Sequence, residues 1–137
     1  MPGVRVPHDE FILPDTHAAH LRRVTDLLKS VAFHYSDESG LQAGIAELLD
    51  GEFIPYEREA RLSSRDRIDF ILSTAPIGIE CKTQGSPSET TRQLLRYAES
   101  PKISALILVT GRLRLARLPG MMLGKPMVTI PLWNRGF

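Results

Sequence analysis

Residues 103–110 read Ile-Ser-Ala-Leu-Ile-Leu-Val-Thr, and Gly111 ends the run. Apolar side chains fall on both faces of this short segment. A strand of that kind is stable only when both faces are covered, which points to the interior of a sheet with helices packed on it. A mixed α/β domain with a central sheet is therefore expected, and the rest of the chain must supply the covering layers. The 137 residues provide one such domain. Apolar residues at 42% and charged residues at 24% rule out whole-chain disorder. No apolar run approaches the ~20 residues needed to span a bilayer.

The patterning upstream fits this frame. Residues 1–14 are irregular, broken by Pro2, Pro7 and Pro14, and acidic without an apolar h-region, so they do not read as a signal peptide. Asp15-Thr16 caps a helix expected to reach about His34, with Ala18, Leu21, Val24, Leu27, Leu28 and Val31 at helical spacing. A second helix begins near Ser36-Asp37 and carries Leu41, Ile45, Leu48 and Leu49, with Gly51 expected to stop it. From Phe53 the period becomes two. Ile54, Tyr56, Ala60 and Leu62 mark a first strand, residues 67–72 a second and residues 77–83 a third, which makes a β-meander. Ser86-Pro87 with Glu89 opens a helix to about Glu99. Beyond Gly111, residues 118–123 read as an apolar loop or short helix, and residues 127–132 as a last strand.

Charge is distributed unevenly. Residues 1–60 hold 5 Lys/Arg and 11 Asp/Glu, a net −6; residues 61–137 hold 12 Lys/Arg and 5 Asp/Glu, a net +7. Most of those cations are arginine, which binds phosphate in bidentate fashion, so either a polyanionic partner or an unevenly charged solvated surface fits. The single cysteine, Cys81, excludes a disulfide framework and a zinc ribbon within one chain. A reducing, cytoplasmic setting is expected.

The chemistry concentrates on the meander. Gly78, Glu80 and Lys82 share one face of the third strand, and Ile77, Ile79 and Cys81 the other. On the second strand, Ile68, Phe70 and Leu72 are expected on one face and Asp69 on the opposite one. If Leu72 pairs with Ile77 across the turn, Asp69 lies directly opposite Glu80. Like charges placed so are destabilising. Two readings follow: a solvated face neutralised by Lys82, or a pair that holds a cation. Hard oxygen ligands suit Mg²⁺ or Mn²⁺, and Lys82 could position a water or stabilise charge on a phosphate. Gln93 and Tyr97 lie at i and i+4 on one helix face, and Arg92 and Arg96 on another. His17 and His20 lack a paired acid and read as helix surface. Cys81 reads as core.

Arg67-Ile-Asp69-Phe, Ile79-Glu80-Cys81-Lys82, Gln93-Leu-Leu-Arg-Tyr97 and the strand at 103–110 together resemble the PD-(D/E)XK nuclease superfamily, most closely its RecB-like and phage-exonuclease-like branch with a QxxxY helix. The resemblance covers about residues 37–111. It implies a single-domain, restriction-endonuclease-like αβββαβ core with a mixed central sheet flanked by helices. Residues 1–36 would then be an N-terminal extension with a helix, and 112–137 a C-terminal extension with one strand. Asp69 and Glu80 would be metal carboxylates, the Cys81 main-chain carbonyl a further ligand and Lys82 the residue acting on the attacking water. Ile68 stands where the family name has proline. Gln93 and Tyr97 would brace the site, and Glu47 would be the acid supplied by the preceding helix. The implied activity is Mg²⁺-dependent phosphodiester hydrolysis of nucleic acid, DNA foremost, with Arg61, Arg65, Arg92, Arg96 and Arg112 on its backbone. The other classes left open are a catalytically inactive nucleic-acid-binding module and an accessory subunit of the same fold. A phage origin, and so a host-cytoplasmic setting, would suit the size. Met121, Met122, Leu123, Val128, Ile130, Leu132 and Trp133 either complete the core or form a homodimer contact.

Overall fold

A computed structural model describes residues 15–132. Residues 1–14, expected from the sequence to be irregular, and Trp133 lie outside the described residues. Three helices and six strands follow in the order α1 (Asp15–Ser30), α2 (Glu38–Gly51), β1 (Tyr56–Arg61), β2 (Arg67–Leu72), β3 (Ile77–Lys82), α3 (Pro87–Ala98), β4 (Ala105–Thr110), β5 (Met121–Met122) and β6 (Lys125–Pro131). A 3-10 turn at Leu113–Leu115 precedes β5. No helix among the described residues is long and apolar enough to cross a membrane.

β4 is the axis of the sheet, and every residue of it is buried. It pairs in parallel with β3 on one side and with β6 on the other, giving the strand order β1-β2-β3-β4-β6-β5. Its alternate side chains enter two separate cores. Ala105, Ile107 and Val109 join α1 and α2 through Val24, Leu28, Leu41, Ile45 and Leu49. Leu106 and Leu108 join α3, the 3-10 turn and β5 through Leu94, Tyr97, Leu115 and Met122. Burying each of these large aliphatic side chains stabilises the fold by about 1.5–3 kcal/mol.

α1 ends at Ser30, earlier than the apolar spacing indicates. α2 ends at Gly51 as expected, but the left-handed cap residue is Phe53, with φ 57°. Its N–H donates to the Asp50 carbonyl at 3.1 Å and the Ile54 N–H to the Leu49 carbonyl at 2.9 Å. These two bonds make a Schellman cap, with Ile54 and Leu49 in its buried apolar contact. Ile54 is thereby taken out of β1, which starts at Tyr56. Residues 118–123 contain β5, paired antiparallel to β6 through Met121↔Pro126 and Met122↔Lys125. Met122, Ile130 and Leu132 complete the core, whereas Met121 and Leu123 are exposed.

β2 departs from simple alternation. Phe70 and Leu72 enter the α1/α2 core, but Ile68 packs on the α3 side. β1 makes the same change: Tyr56 packs on one core and Ala60 enters the other, with Glu59 left-handed between them at φ 54°. The hairpin thus turns over at Glu59 and Asp69. Gly78 lies under the displaced Ile68. A Cβ there would overlap the Ile68 methyl and approach Ile103 Cδ1 at 2.9 Å.

Two stability effects follow. Phe53→Gly relieves a left-handed non-glycine at an exposed position and should raise the urea midpoint by the equivalent of about 0.5–1 kcal/mol. A lowered midpoint would show that the Phe53 ring is held by packing. Gly78→Ala should lower stability by about 1–3 kcal/mol through overpacking.

Candidate active site

The β2–β3 ladder runs through Ile71↔Gly78 and Phe70↔Ile79, the register that sets Asp69 across from Glu80. At that pair, side chains take over the bonding. The Asp69 N–H donates to Glu80 Oε1 at 3.1 Å, and the Cys81 N–H donates to Asp69 Oδ2 at 2.8 Å. Each carboxyl group is thus held by a backbone donor of the other strand or of its neighbour. In a strand the N–H and C=O of one residue point the same way, so the Cys81 carbonyl also faces β2, beside Asp69. The Cys81 side chain is fully buried in the α1/α2 core, and burial pushes its thiol pKa far up. That is the state of a core residue and not of a nucleophile.

α3 closes the site from above. Ser86 Oγ accepts the Glu89 N–H at 3.2 Å, with Pro87 in the first turn, as the capping pattern requires. The helix then presents Gln93 and Tyr97 together. Gln93 Nε2 donates to the Tyr97 hydroxyl at 2.8 Å. That hydroxyl in turn reaches the Arg67 carbonyl at 3.0 Å and Glu80 Oε2 at 3.3 Å. Lys82 Nζ stands 3.8 Å from the same Glu80 oxygen. Thr110, the one polar residue ending the apolar β4, fixes the Lys82 backbone: its hydroxyl donates to the Lys82 carbonyl at 2.7 Å.

Glu80 is 4% exposed, and Lys82 is its ion-pair partner. Burial pushes the Asp69 pKa up to about 6. The Cys81 N–H and Lys82 oppose that rise, while Glu38 and Glu59 add to it. Glu80 is raised well above the usual carboxylate range, first by burial and then by the charge of Asp69. Tyr97 is raised by burial and by Glu80.

Glu47 does not reach this site. It is exposed, nine residues beyond Glu38, which at about 100° per residue is the opposite side of α2. The acid that α2 brings to the site is Glu38, whose Oε1 accepts the Thr83 N–H at 3.1 Å. Glu38 continues the stripe Leu41, Ile45 and Leu49 that packs α2 on the sheet, and that spacing was the available signal. Among the arginines, Arg92 and Arg96 line an open cleft beside Lys82 and Gln93. Arg112 closes on the same end through Nε to the Gly85 carbonyl at 2.9 Å. Arg61 and Arg65 lie at the β1–β2 turn, where the Arg61 guanidinium returns to the Ser64 carbonyl at 3.2 Å. His20 lies on the other side of the sheet, in a groove with Arg23 and Phe53.

Among the described residues, no group of three or more His, Cys, Asp or Glu side chains forms a cage for an ion. What is present is a pair of hard carboxyl groups, Glu80 buried and Asp69 half-buried, with a carbonyl beside them. Such a donor set suits a cation that keeps several waters. No family model matches the chain, and neither a curated protein nor a solved structure matches it.

Raised carboxyl pKa values make folding pH-dependent. The folded state favours the neutral acid, so this contribution is complete below the unfolded value of 3.8 and is lost as pH rises through about 6. In EDTA, Tm should fall between pH 4 and 7. Asp69→Asn should flatten that fall and exceed the wild type at pH 7.5 by about 1–3 kcal/mol. An unchanged slope in the variant would remove Asp69 as its source.

Proposed function

We propose that this protein is a metal-dependent nuclease that hydrolyses phosphodiester bonds, those of DNA foremost. One observation carries the reading: a half-buried Asp69 faces a buried Glu80 where ionising both costs folding energy, with Lys82 beside Glu80 at the mouth of a basic cleft. Two opposed carboxyl groups, one buried and one half-buried, are costly to ionise in the free protein beyond what their two backbone hydrogen bonds return. The order of a helix, a three-stranded meander, a crossover helix and a parallel strand fits the αβββαβ core of the PD-(D/E)XK superfamily. The Gln93–Tyr97 contact fits its QxxxY helix.

Asp69, Glu80 and the Cys81 carbonyl would hold Mg²⁺ or Mn²⁺, with Glu38 as the acid on the α2 side. A bound divalent cation would supply a water of lowered pKa and polarise a phosphoryl oxygen. Lys82 Nζ lies beside Glu80, where it can orient that water and offset negative charge gathering on the phosphate. Tyr97 steadies Glu80 through Oε2, and Gln93 steadies Tyr97. Arg92 and Arg112 add positive charge along the approach.

Circular and end-labelled linear DNA incubated with Mg²⁺, Mn²⁺ or EDTA tests this directly. Cutting should require the metal, and loss of circles marks endonucleolytic action. Lys82→Ala should lower the rate by about 100-fold or more, and Asp69→Ala and Glu80→Ala should abolish it. Asp69→Asn and Glu80→Gln, which keep an acceptor for the two backbone N–H groups, should unfold no earlier than the wild type in EDTA. Salt-sensitive binding without cutting under any metal would mark a non-catalytic binding module. Loss of folding in Asp69→Ala would mark the pair as structural.

A further inference from the structure

Two clefts lie along the exposed side of α3. One, about 320 Å³, runs from Lys82 and Gly85 past Arg92 to Arg96. The other, about 280 Å³, lies between the end of α3 and the β1–β2 turn, and Arg96 lines it as well. Arg96 stands where they meet, joined to Asp66 of the turn. The contact is one-sided: Asp66 Oδ1 takes Nε at 3.1 Å. A guanidinium has five N–H donors, so the four on its Nη atoms remain for a ligand. Asp66 itself is firmly held. Its side chain is 15% exposed. Its N–H donates to Ser63 Oγ at 3.0 Å, and its carbonyl accepts the Leu62 N–H at 2.9 Å.

We propose that the two clefts form one track for a single nucleic-acid strand, in which Arg92 and Arg96 hold neighbouring phosphates and Asp66 is the positioning residue that turns the Nη edge of Arg96 toward the strand. This rests on the nucleic-acid reading above and adds the path and strandedness of the substrate. Arg92 and Arg96 are one helical turn apart, with Cβ atoms about 5–6 Å from each other, a spacing comparable to the step between successive phosphates. α3, at 12 residues, is about 18 Å long, room for a few nucleotides. The track ends at Lys82, beside a Glu80 that is 4% exposed. A flexible strand can descend to that floor. A duplex is stiff over this length and does not bend down to it without a cost.

The sign of one substitution separates positioning from simple charge. Removing a carboxylate next to a phosphate track should tighten binding by electrostatics alone. Positioning demands the reverse. Binding of a labelled oligothymidylate is measured by anisotropy in EDTA, so that cleavage does not intervene. Arg96→Ala should weaken it by about fivefold or more, and Asp66→Ala by about threefold despite the lost negative charge. Asp66→Asn, which keeps an acceptor for Nε, should restore wild-type binding or better it. In the Arg96→Ala background, Asp66→Ala should add nothing. Tighter binding by Asp66→Ala, or an equal effect without Arg96, would overturn the positioning role while leaving the nuclease reading to its cleavage test. Duplex of the same length bound as tightly as the single strand would overturn the track. No binding of either by the wild type would overturn both this proposal and the nucleic-acid reading.

Discussion

Where β2 and β3 run past Asp69 and Glu80, the two side chains take the place of the backbone ladder. Each carboxyl group accepts an N–H that the sheet would otherwise leave unsatisfied in a buried place. The rest of the site hangs on this exchange. It holds the hairpin where Ile68 turns over to the α3 side, and Ile68 in turn needs the missing side chain of Gly78. It fixes Glu80 where Tyr97 can reach both its carboxyl and the Arg67 carbonyl. α3 is thereby fastened to β2 through one hydroxyl, and Arg96 adds a second fastening at Asp66.

The arrangement sets function against stability in a measurable way. The surrounding layers are ordinary aliphatic packing around a fully buried β4. Within them the fold tolerates two opposed carboxyl groups whose ionisation it resists. A group that is costly when charged and empty-handed becomes favourable when a cation meets it, so the same burial that weakens the free protein would strengthen its hold on a ligand. Lys82 offsets part of the cost and is itself kept in place by Thr110 at the end of the apolar strand. The central strand therefore does two things: it contributes side chains to both cores, and its last residue fixes the backbone of Lys82.

Much of this is legible in the sequence because it depends on local periods. The apolar run at 103–110 marks the sheet interior, and the length of the turn before Ile77 sets Asp69 across from Glu80. Ser86 and Pro87 mark the start of α3, and four-residue spacing joins Gln93 to Tyr97. What was not legible depends on how elements rotate against one another. Glu38 and Glu47 are both acids on α2, and only its packed stripe shows which one faces the sheet. Phe53 in a left-handed cap gives no local sign, since glycine is the usual residue there and Gly51 stands two positions earlier. The turnover at Glu59 and Asp69 breaks the period on which strand reading relies. Asp66 and Arg96 are thirty residues apart, and no pattern joins them.

The two margins of the sheet are also informative. On β1, Glu57, Arg58 and Glu59 are exposed, and the left-handed Glu59 bends the strand out of line. On the other side, β6 carries Pro126 and Pro131, which have no N–H to offer, and β5 covers it for two residues only. Charge, bending and proline are the means by which sheets refuse to grow by recruiting another strand. A second copy of this chain is thus turned away from edge-to-edge addition. Among the described residues, the surfaces left for contact with another molecule are those of helices and loops, and the sheet stays finite.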